Sequence, residues 1–518
     1  MQQRGFVRAG TREDALREQA ASAQKHHPPE SPQITGLNSL LDRIWMRNSE
    51  HMRDIRRQML DNLRARNSEY SAEKRTQITS EGGSPVYMGI TEVKCNHGEA
   101  WLNDIFSSTQ WSWALEPTPV PDLTPFVRER AVQTAIELLQ ERAAEGEELA
   151  PEELAALSED IETAVEESTS DELWSRAKGM ERKIQDQFEQ GGFHEAFADF
   201  TRNLVALKAG IIKGPVIRSF EKIDWEEQED GSMVPTIEED ERPEYYSVSP
   251  FDFYPDPDVK DLQKGNLVET YQLSRSELGA RKGDDNYDEK AINRVLSAFE
   301  QMPSRLDMLT SEERDRRELE DKQTGLAMKD SDEQSDIRDC LKVQEFWTTS
   351  QGRILKAHGR KVDDTGAMLE DLVEYEINVM RIGSEIIFLE FNPDPLNRRP
   401  YSVSGWSAVP GSFWYRGVPE RMADLQQICN AATRALVSNL GLASGPQVEI
   451  DTDRLPPGEN IESIFPHKIW QTVNPRNSAA PAIRFFQPNS NAQELISIYE
   501  KYAQLADDYT GIPAYAFG

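Results

Sequence analysis

The clearest hydrophobic pattern in the chain lies towards its carboxyl end. Between residues 419 and 442, apolar side chains recur every three or four positions, and Pro419 opens the stretch. This period is typical of one face of an α-helix, and proline is favoured in a first helical turn. At 1.5 Å per residue the helix would span roughly 36 Å. Burial in a core is the default interpretation, and the near-heptad spacing also suits packing against like helices in a ring or bundle.

A second helical pattern covers about residues 37–70, where arginines crowd the side opposite the apolar residues. We expect this helix to face solvent or another subunit, with a contact to nucleic acid as the alternative. Ser274 and Glu277 have the spacing of a capping box and therefore predict a helix start. Further helices are predicted over residues 90–106, 288–301 and 492–508.

Period-two alternation of apolar and polar residues predicts strands within residues 341–391. Gly383 and Ser384 lie between two such runs and favour a hairpin turn, so this region is expected to form a small antiparallel sheet. Shorter strands are predicted at residues 111–115, 217–225, 247–254, 267–273, 447–451 and 482–486, and residues 85–88 are predicted to form a strand or a turn.

The charge of the chain is strongly one-sided. There are 91 acidic and 58 basic residues, which gives a net charge of −33 at pH 7. Residues 125–190 are predicted to form an acidic helical insert, and residues 226–245 an acidic hairpin tip. Tight non-specific adhesion to DNA needs clustered lysine and arginine, so the composition argues against it. It remains compatible with DNA as a passing cargo, because an acidic wall repels a polyanion.

The stretch LVALKAGIIKGPVIRS, residues 204–219, places glycines beside a lysine and raises the question of a phosphate-binding loop. A P-loop needs its glycines and lysine after a strand and before a helix. Here the helical pattern comes first and the β-branched run follows. We interpret the stretch as a helix-to-strand joint, with Gly210 at the helix end in a positive-φ conformation.

Candidate chemistry is sparse. Cys95, Cys340 and Cys429 lie far apart and form no C-x-x-C pair, which fits a reducing cytoplasm. No catalytic motif is recognisable, so no catalytic, cofactor-binding or metal-binding residue is predicted. The aspartates of residues 256–261 lack the glycine and terminal glutamate of a calcium loop, and a rigid turn is favoured over a metal site. The longest apolar runs are too short to span a bilayer, so no membrane contact is predicted.

Four segments, taken in order, carry a family resemblance. They are VYMGITEVKCNHGEAWLNDIF, DQFEQGGFHEAFADFTRNLVALKAGIIKGPVIRS, SVSPFDFYPDPDVKDL and FNPDPLNRRPYSVSGWSAVPGSFWYRGVPERMADLQQICNAATRALVSNLGLASGP. Together they cover much of residues 37–510, and the set resembles the portal protein of tailed bacteriophages, the head-to-tail connector. The resemblance implies an α+β, mainly α-helical subunit with wing, stem and clip regions and small antiparallel sheets, assembling as a ring.

Further expectations follow from the same resemblance. The ring, usually of twelve copies, would occupy one capsid vertex of the virion, and double-stranded DNA would be packaged and ejected through it. The implied partners are further copies of the chain, the major capsid protein, terminase, tail or adaptor proteins and scaffolding protein, with assembly in the host cytoplasm. The alternatives are another capsid-associated or tail-adaptor protein, or an acidic intracellular enzyme with an unrecognised site.

The resemblance also assigns regions and residues. The expected regions are a flexible arm (1–36), a wing (37–300), a charged segment leading to the stem (301–340), a β-rich clip-side region (341–405), a long channel-side stem helix (406–445) and a return to the wing without a crown (446–518). On the stem helix, the candidates for a channel or subunit interface are Met422, Leu425, Gln426, Cys429, Asn430, Ala432 and Leu436. Arg421 and Arg434 are the candidates for facing DNA or for pairing with carboxylates between subunits.

Overall fold

The computed structural model describes residues 36–107, 113–117, 133, 173–227, 233–284, 286–301, 311–323, 340–363, 366–456, 468–473 and 481–512, which form an α+β fold. The helices are α1 (Leu37–Arg66), α2 (Ala72–Ser80), α3 (Ile90–Ser107), α4 (Phe193–Ala206), α5 (Arg275–Ala280), α6 (Glu289–Gln301), α7 (Ser311–Gln323), α8 (Gly352–His358), α9 (Val418–Ala443) and α10 (Ala492–Thr510). The strands are β1 (Gly210–Glu227), β2 (Met233–Ser247), β3 (Phe253–Pro255), β4 (Leu267–Ser274), β5 (Cys340–Gln351), β6 (Glu374–Ile382), β7 (Glu385–Phe391), β8 (Tyr401–Ser404), β9 (Gln447–Ile450) and β10 (Ile483–Phe486).

The chain divides into two compact units. The first comprises Met1–Met52, Tyr254–Met308 and Glu333–Arg399, and the second comprises Arg53–Phe253, Leu309–Asp332 and Pro400–Gly518. Helix α1 begins in the first unit and ends in the second.

The first unit is built around a five-stranded sheet with the order β3-β4-β5-β6-β7. Strands β4 to β7 are antiparallel neighbours. The predicted sheet of residues 341–391 is thus confirmed, and β4 extends it by pairing along its whole length with β5. Helices α5 and α6 cover one face, and the predicted capping box at Ser274 starts α5. The core between them contains Leu273, Leu278, Ala291, Ile292, Val295, Phe299, Leu341, Val343, Ile382, Ile387 and Phe388.

The turn after β3 is fixed by hydrogen bonds, as the rigid-turn interpretation predicted. Asp256 accepts from the main-chain N–H of Asp258 at 3.2 Å and from the side-chain amide of Asn266 at 3.3 Å. The guanidinium of Arg399, almost fully buried, donates to the main-chain oxygen of Leu262 at 2.7 Å and pairs with Glu376 at 2.7 Å. The carboxylate of Asp256 therefore serves the turn itself.

A long antiparallel hairpin of β1 and β2 dominates the strands of the second unit, and β8 adds to the other edge of β1. Our boundaries for this hairpin were wrong. Strand β1 begins at Gly210 rather than at residue 217, and β2 runs through residues assigned to an acidic tip. The pairing of β2 with β1, for example Glu239 opposite Glu221, holds this acidic sequence extended without any hydrophobic alternation.

The expected role of Gly210 was also wrong. Helix α4 ends at Ala206, its C-cap residue Leu207 is extended, and Gly210 does not have a positive φ. A Cβ at Gly210 would instead lie 2.6 Å from the main-chain oxygen of Phe200. Glycine is present here because strand β1 and helix α4 approach too closely for a side chain. Lys213 is buried, with its ammonium 5.2 Å from the ring centre of Tyr401.

The apolar side of α1 packs inside its own chain, whereas Arg43, Arg47, Arg53 and Arg57 are exposed, so one side of this helix faces solvent as predicted. Leu41 and Met52 are buried in the first unit, and Met59 is buried in the second. In the second unit, Arg56 pairs with Glu313 of α7 at 3.6 Å. The apolar period of α1 therefore reflects packing within the chain.

Several shorter predictions have mixed outcomes. Residues 85–88 and 113–115 form no strand, and residues 111–112 lie outside the described part. Residues 173–190 are helical, whereas nearly all of the acidic insert before them lies outside the described residues, as does the arm at residues 1–35. The predicted helices at 90–106, 288–301 and 492–508 and the short strands β9 and β10 are confirmed within a few residues.

Candidate subunit interface

Helix α9 is the element on which the predicted site residues lie. It starts after Gly417, whose backbone is extended, and has proline in its first turn, as expected from its sequence. A Cβ at Gly417 would lie 2.3 Å from the main-chain oxygen of Leu207, so glycine lets the helix start against the end of α4. At the other end, Nε2 of Gln487 donates to the main-chain oxygen of Ala443 at 2.9 Å and satisfies one terminal carbonyl.

Most of the predicted interface residues are core residues of the second unit. The buried ones are Met422, Gln426, Cys429, Asn430 and Ala432, and the part-exposed ones are Leu425 and Leu436. Met422 is 0% exposed and packs with Cys95, Val205 and Ile512. The surface that α9 offers to a neighbour or a channel is thus the side opposite these buried residues.

Two polar residues on the buried side tie α9 to the first turn of α3 and to the segment before it. Oε1 of Gln426 accepts from the N–H and from the hydroxyl of Thr91, at 3.1 and 2.7 Å, while its Nε2 donates to the main-chain oxygen of Met88 at 2.6 Å. Oδ1 of Asn430 accepts from the N–H of Met88 at 2.9 Å. Residues 83–88 form no regular structure, so these side chains supply partners that a helix or sheet would otherwise provide.

An aromatic pair continues this polar network along α9. The rings of Tyr70 and Tyr87 meet edge to face with centroids 4.8 Å apart. Nη1 of Arg434 donates to the hydroxyl of Tyr70 at 2.5 Å, and its guanidinium lies 5.5 Å from the Tyr70 ring centre. Burial raises the pKa of Tyr87 to about 12, although its hydrogen bond with Asn430 opposes the rise. The Tyr87 hydroxyl is therefore harder to ionise than that of an exposed tyrosine.

Helix α10 packs along α9 and is anchored at its carboxyl end. The buried Lys94 forms an ion pair of 2.6 Å with Asp507 and donates a further hydrogen bond to the main-chain oxygen of Ile512. The guanidinium of Arg421 lies 5.5 Å from the ring centre of Tyr509. The two arginines singled out in the sequence thus both lie over tyrosine rings in this chain.

The outward side of α9 carries mostly small and apolar residues. Residues that recur at helical spacing and are exposed are Asp424, Ile428, Ala431, Ala435, Ser438 and Leu442. Beside them, α2 and α9 enclose a groove of about 300 Å³ that is lined by Lys74, Gln77, Ile78, Glu81, Gly83, Ala431, Arg434, Ala435 and Ser438. Exposed apolar residues on α10 include Ile498, Leu505 and Tyr509.

Comparison of the sequence with models of known protein families shows which family the chain belongs to. The sequence model of the family described as Phage SU10 portal protein matches residues 139–518, which include α9 and α10 and most of both units. The chain belongs to the Phage SU10 portal protein family. In the search of curated proteins, no relative matches the chain.

Membership in this portal family confirms the resemblance seen in the sequence. The chain is a phage portal protein, a virion component at the head-to-tail connection with a part in genome packaging, and portal proteins are structural rather than enzymatic. Among the residues described here, no His, Cys, Asp or Glu cluster could hold a metal ion. None of the helices in the same residues has the length and apolar character needed to cross a bilayer.

The sequence singled out the buried side of α9 but missed what it contacts. Thr91, Lys94 and the main chain of Met88 had no recognisable signal, because hydrogen bonds between segments more than 330 residues apart leave no local pattern. The available hint was the presence of Gln426 and Asn430 in an otherwise apolar stripe. A buried amide needs partners, so two amides one helical turn apart indicate a facing segment with free backbone groups.

Proposed function

We propose that this portal protein assembles as a closed ring of twelve copies at one capsid vertex. Double-stranded DNA passes through the centre of the ring during packaging and ejection. Family membership supports a ring-forming role. The observation that carries the proposal is the outward side of α9, where Ile428, Ala431 and Ala435 remain exposed on a long, well-anchored helix.

Small residues on a helix allow another helix to approach closely, since their side chains leave the backbone accessible. In a closed ring every subunit uses two different surfaces, one for each neighbour. The outward side of α9 supplies one of these surfaces in our proposal. The five buried residues of α9 act indirectly, by holding the helix against the rest of the second unit.

The regions of a portal subunit are proposed as follows. Helix α9, with α10 beside it, forms the stem, and the wing and clip-side boundaries remain those predicted from the sequence. One feature of the fold joins the two predicted regions. Strand β4 lies in the predicted wing and nearly all of β5 in the predicted clip-side region, yet β4 pairs along its whole length with residues 340–347 of β5 in one sheet.

The charge of the chain suits a channel through which DNA slides. Each copy has a net charge of −33, so a ring of copies repels the DNA backbone and lowers adhesion to its wall. Arg421 and Arg434 stay candidates for facing DNA or for pairing with carboxylates of a neighbour. Their contacts with Tyr509 and Tyr70 would hold each guanidinium in a fixed position for either role.

The proposed partners are the major capsid protein, terminase, tail or adaptor proteins and scaffolding protein, and assembly would take place in the host cytoplasm. Capsid and tail components follow from the family, while the individual partners are part of the proposal.

Mass photometry and negative-stain images of the purified protein test the ring. We expect one dominant species of about twelve copies of the 58.9 kDa chain, with a central opening. A stable monomer at micromolar concentration would contradict the proposal.

A matched pair of variants tests the surface. Ala435→Glu places a charge on the outward side of α9, and Ala357→Glu places the same charge on an exposed position of α8 in the other unit. Because both alanines are exposed, neither change should disturb the fold of the single chain, and both variants should keep the wild-type far-UV circular dichroism spectrum. We expect the ring to be lost only in Ala435→Glu, and equal assembly of the two variants would exclude this surface.

A further inference from the structure

The ribbon formed by β9 and β10 has two chemically different faces. Ile450 lies opposite Ile483, and Val448 lies opposite Phe485. Residues opposite each other in an antiparallel pair share a face, as do alternate residues in one strand. These four apolar side chains therefore lie on one face of the ribbon. The other face carries Arg484 opposite Glu449, with 3.9 Å between their charged groups, and Phe486 opposite Gln447, so it is mixed rather than apolar.

The apolar face is incompletely covered by its own chain. Phe485 is 56% exposed, and the other three residues of the face are only half-buried. An isolated two-stranded ribbon is at best marginally stable in water and needs a third strand or a packing surface. In the part of the chain that the structure describes, no third strand pairs with β9 or β10. A contact outside the single chain would supply what is missing.

The ribbon is directly continuous with the helix pair α9 and α10. Strand β9 follows α9, and β10 precedes α10. The hydroxyl of Ser490, between β10 and α10, donates to Oδ1 of Asn439 on α9 at 2.9 Å. Exposed apolar residues also continue from the ribbon onto α9, where Leu440 and Leu442 are 50% and 58% exposed. A ring held together through α9 would bring the ribbons of adjacent copies next to each other.

We infer that the apolar face of the β9–β10 ribbon packs against a second copy of this chain in the assembled ring. The inference rests on the proposed function, because only a ring provides a neighbour at a fixed position for every ribbon. A neighbouring copy is present before any tail component binds, so it can cover the face throughout assembly. Burial of Phe485 and its three apolar neighbours would then stabilise both the ribbon and the ring.

Site-specific photo-crosslinking tests this contact. The photoreactive analogue p-benzoylphenylalanine replaces Phe485 in one variant and Arg484, on the opposite face, in a matched variant. Each protein is purified as a ring, checked against the wild type by mass photometry, irradiated and run on a denaturing gel. We expect a ladder of covalent dimers and higher multimers from position 485 and little or none from position 484.

The outcomes separate the two proposals. A ring of wild-type mass that gives no ladder from position 485 would overturn the ribbon contact while leaving the proposed function intact, and would leave the face free for a tail component. A wild-type protein that forms no ring would overturn both. Equal ladders from positions 484 and 485 would show that the ribbon contacts a neighbouring copy with no preference for its apolar face. This result would also count against the inference.

A second measurement covers the case in which the analogue at position 485 prevents assembly. Single cysteines are introduced by Val448→Cys on the apolar face and Glu449→Cys on the opposite face, with Cys340, the part-exposed native thiol, changed to serine in both. In the ring, maleimide labelling of position 448 should be about tenfold slower than that of position 449, since a packed face is reached only on opening. Equal rates in an intact ring would overturn the inference.

Discussion

The side-chain amide of Gln426, in the middle of α9, donates a hydrogen bond of 2.6 Å to the main-chain oxygen of Met88. Because its Oε1 also accepts from Thr91, one buried side chain satisfies main-chain and hydroxyl groups of a distant segment. The long helix is thus held by directional polar contacts as well as by apolar packing. Such a network fixes the rotation of α9 about its axis and so determines which residues face outward.

Gln426→Leu is expected to lower the free energy of unfolding by about 2–4 kcal/mol, because it leaves buried groups of Met88 and Thr91 without partners. The control is Gln427→Leu, which makes the same change at an exposed neighbouring position and should stay within about 0.5 kcal/mol of the wild type. Urea unfolding followed by tryptophan fluorescence measures both. Equal effects of the two variants would show that the network does not anchor the helix.

The close approach at Gly210 gives a prediction about the β1–α4 contact. Gly210→Ala would place a Cβ 2.6 Å from the main-chain oxygen of Phe200, and we expect a loss of about 1–3 kcal/mol from the resulting backbone shift. Gly279→Ala, within α5 and with no atom near its Cβ, should instead stabilise by about 0.4–1 kcal/mol. Thermal unfolding compares the two, and a neutral Gly210→Ala would show that the strand can move away.

The helix period was the most reliable guide to the fold. For α9, a long repeat with proline in its first turn predicted bounds within one residue of those observed. Strand β2 could not be predicted in this way, because its acidic residues show no alternation and its extended form depends on pairing with β1. Gly210 illustrates a second limit. Its sequence context indicated a helix end, whereas the reason for glycine is a contact that only the folded chain creates.

The candidate site, like the fold, could be predicted only in part. Periodicity identified the stripe of α9 that contains Met422, Cys429 and Ala432, but a stripe does not reveal whether the same chain or another copy covers it. Here the same chain does so. Ile428 and Ala435 were not singled out, since their significance comes from being left exposed once the rest of the second unit is folded.

The anchor at the carboxyl end of α10 predicts a strong local effect. Lys94→Met removes the cation that pairs with Asp507 at 2.6 Å inside a largely buried site. Breaking one partner of such a pair costs about 3–5 kcal/mol, because the remaining charge stays desolvated. Hydrogen exchange should accelerate in the last turn of α10, and the exposed Lys501→Met should leave it unchanged. Slow exchange in Lys94→Met would show that apolar packing alone holds the turn.

The buried thiol of Cys95 predicts how stability depends on alkaline pH. Burial raises the pKa of this thiol from 9.0 to about 12, so the native state keeps a proton that the unfolded state loses above pH 9. Stability contributed by this difference is fully present below pH 9 and falls between pH 9 and 12 by about 1.4 kcal/mol per pH unit.

The comparison is with Cys95→Ala, which has no thiol to titrate but shares every other ionisable group. The stability difference between wild type and variant should stay constant from pH 7 to 9 and then shift against the wild type as the pH rises. A difference that stays constant up to pH 11 would mean that the native thiol ionises as readily as the unfolded one, and that water reaches the packed junction of α3, α9 and α10.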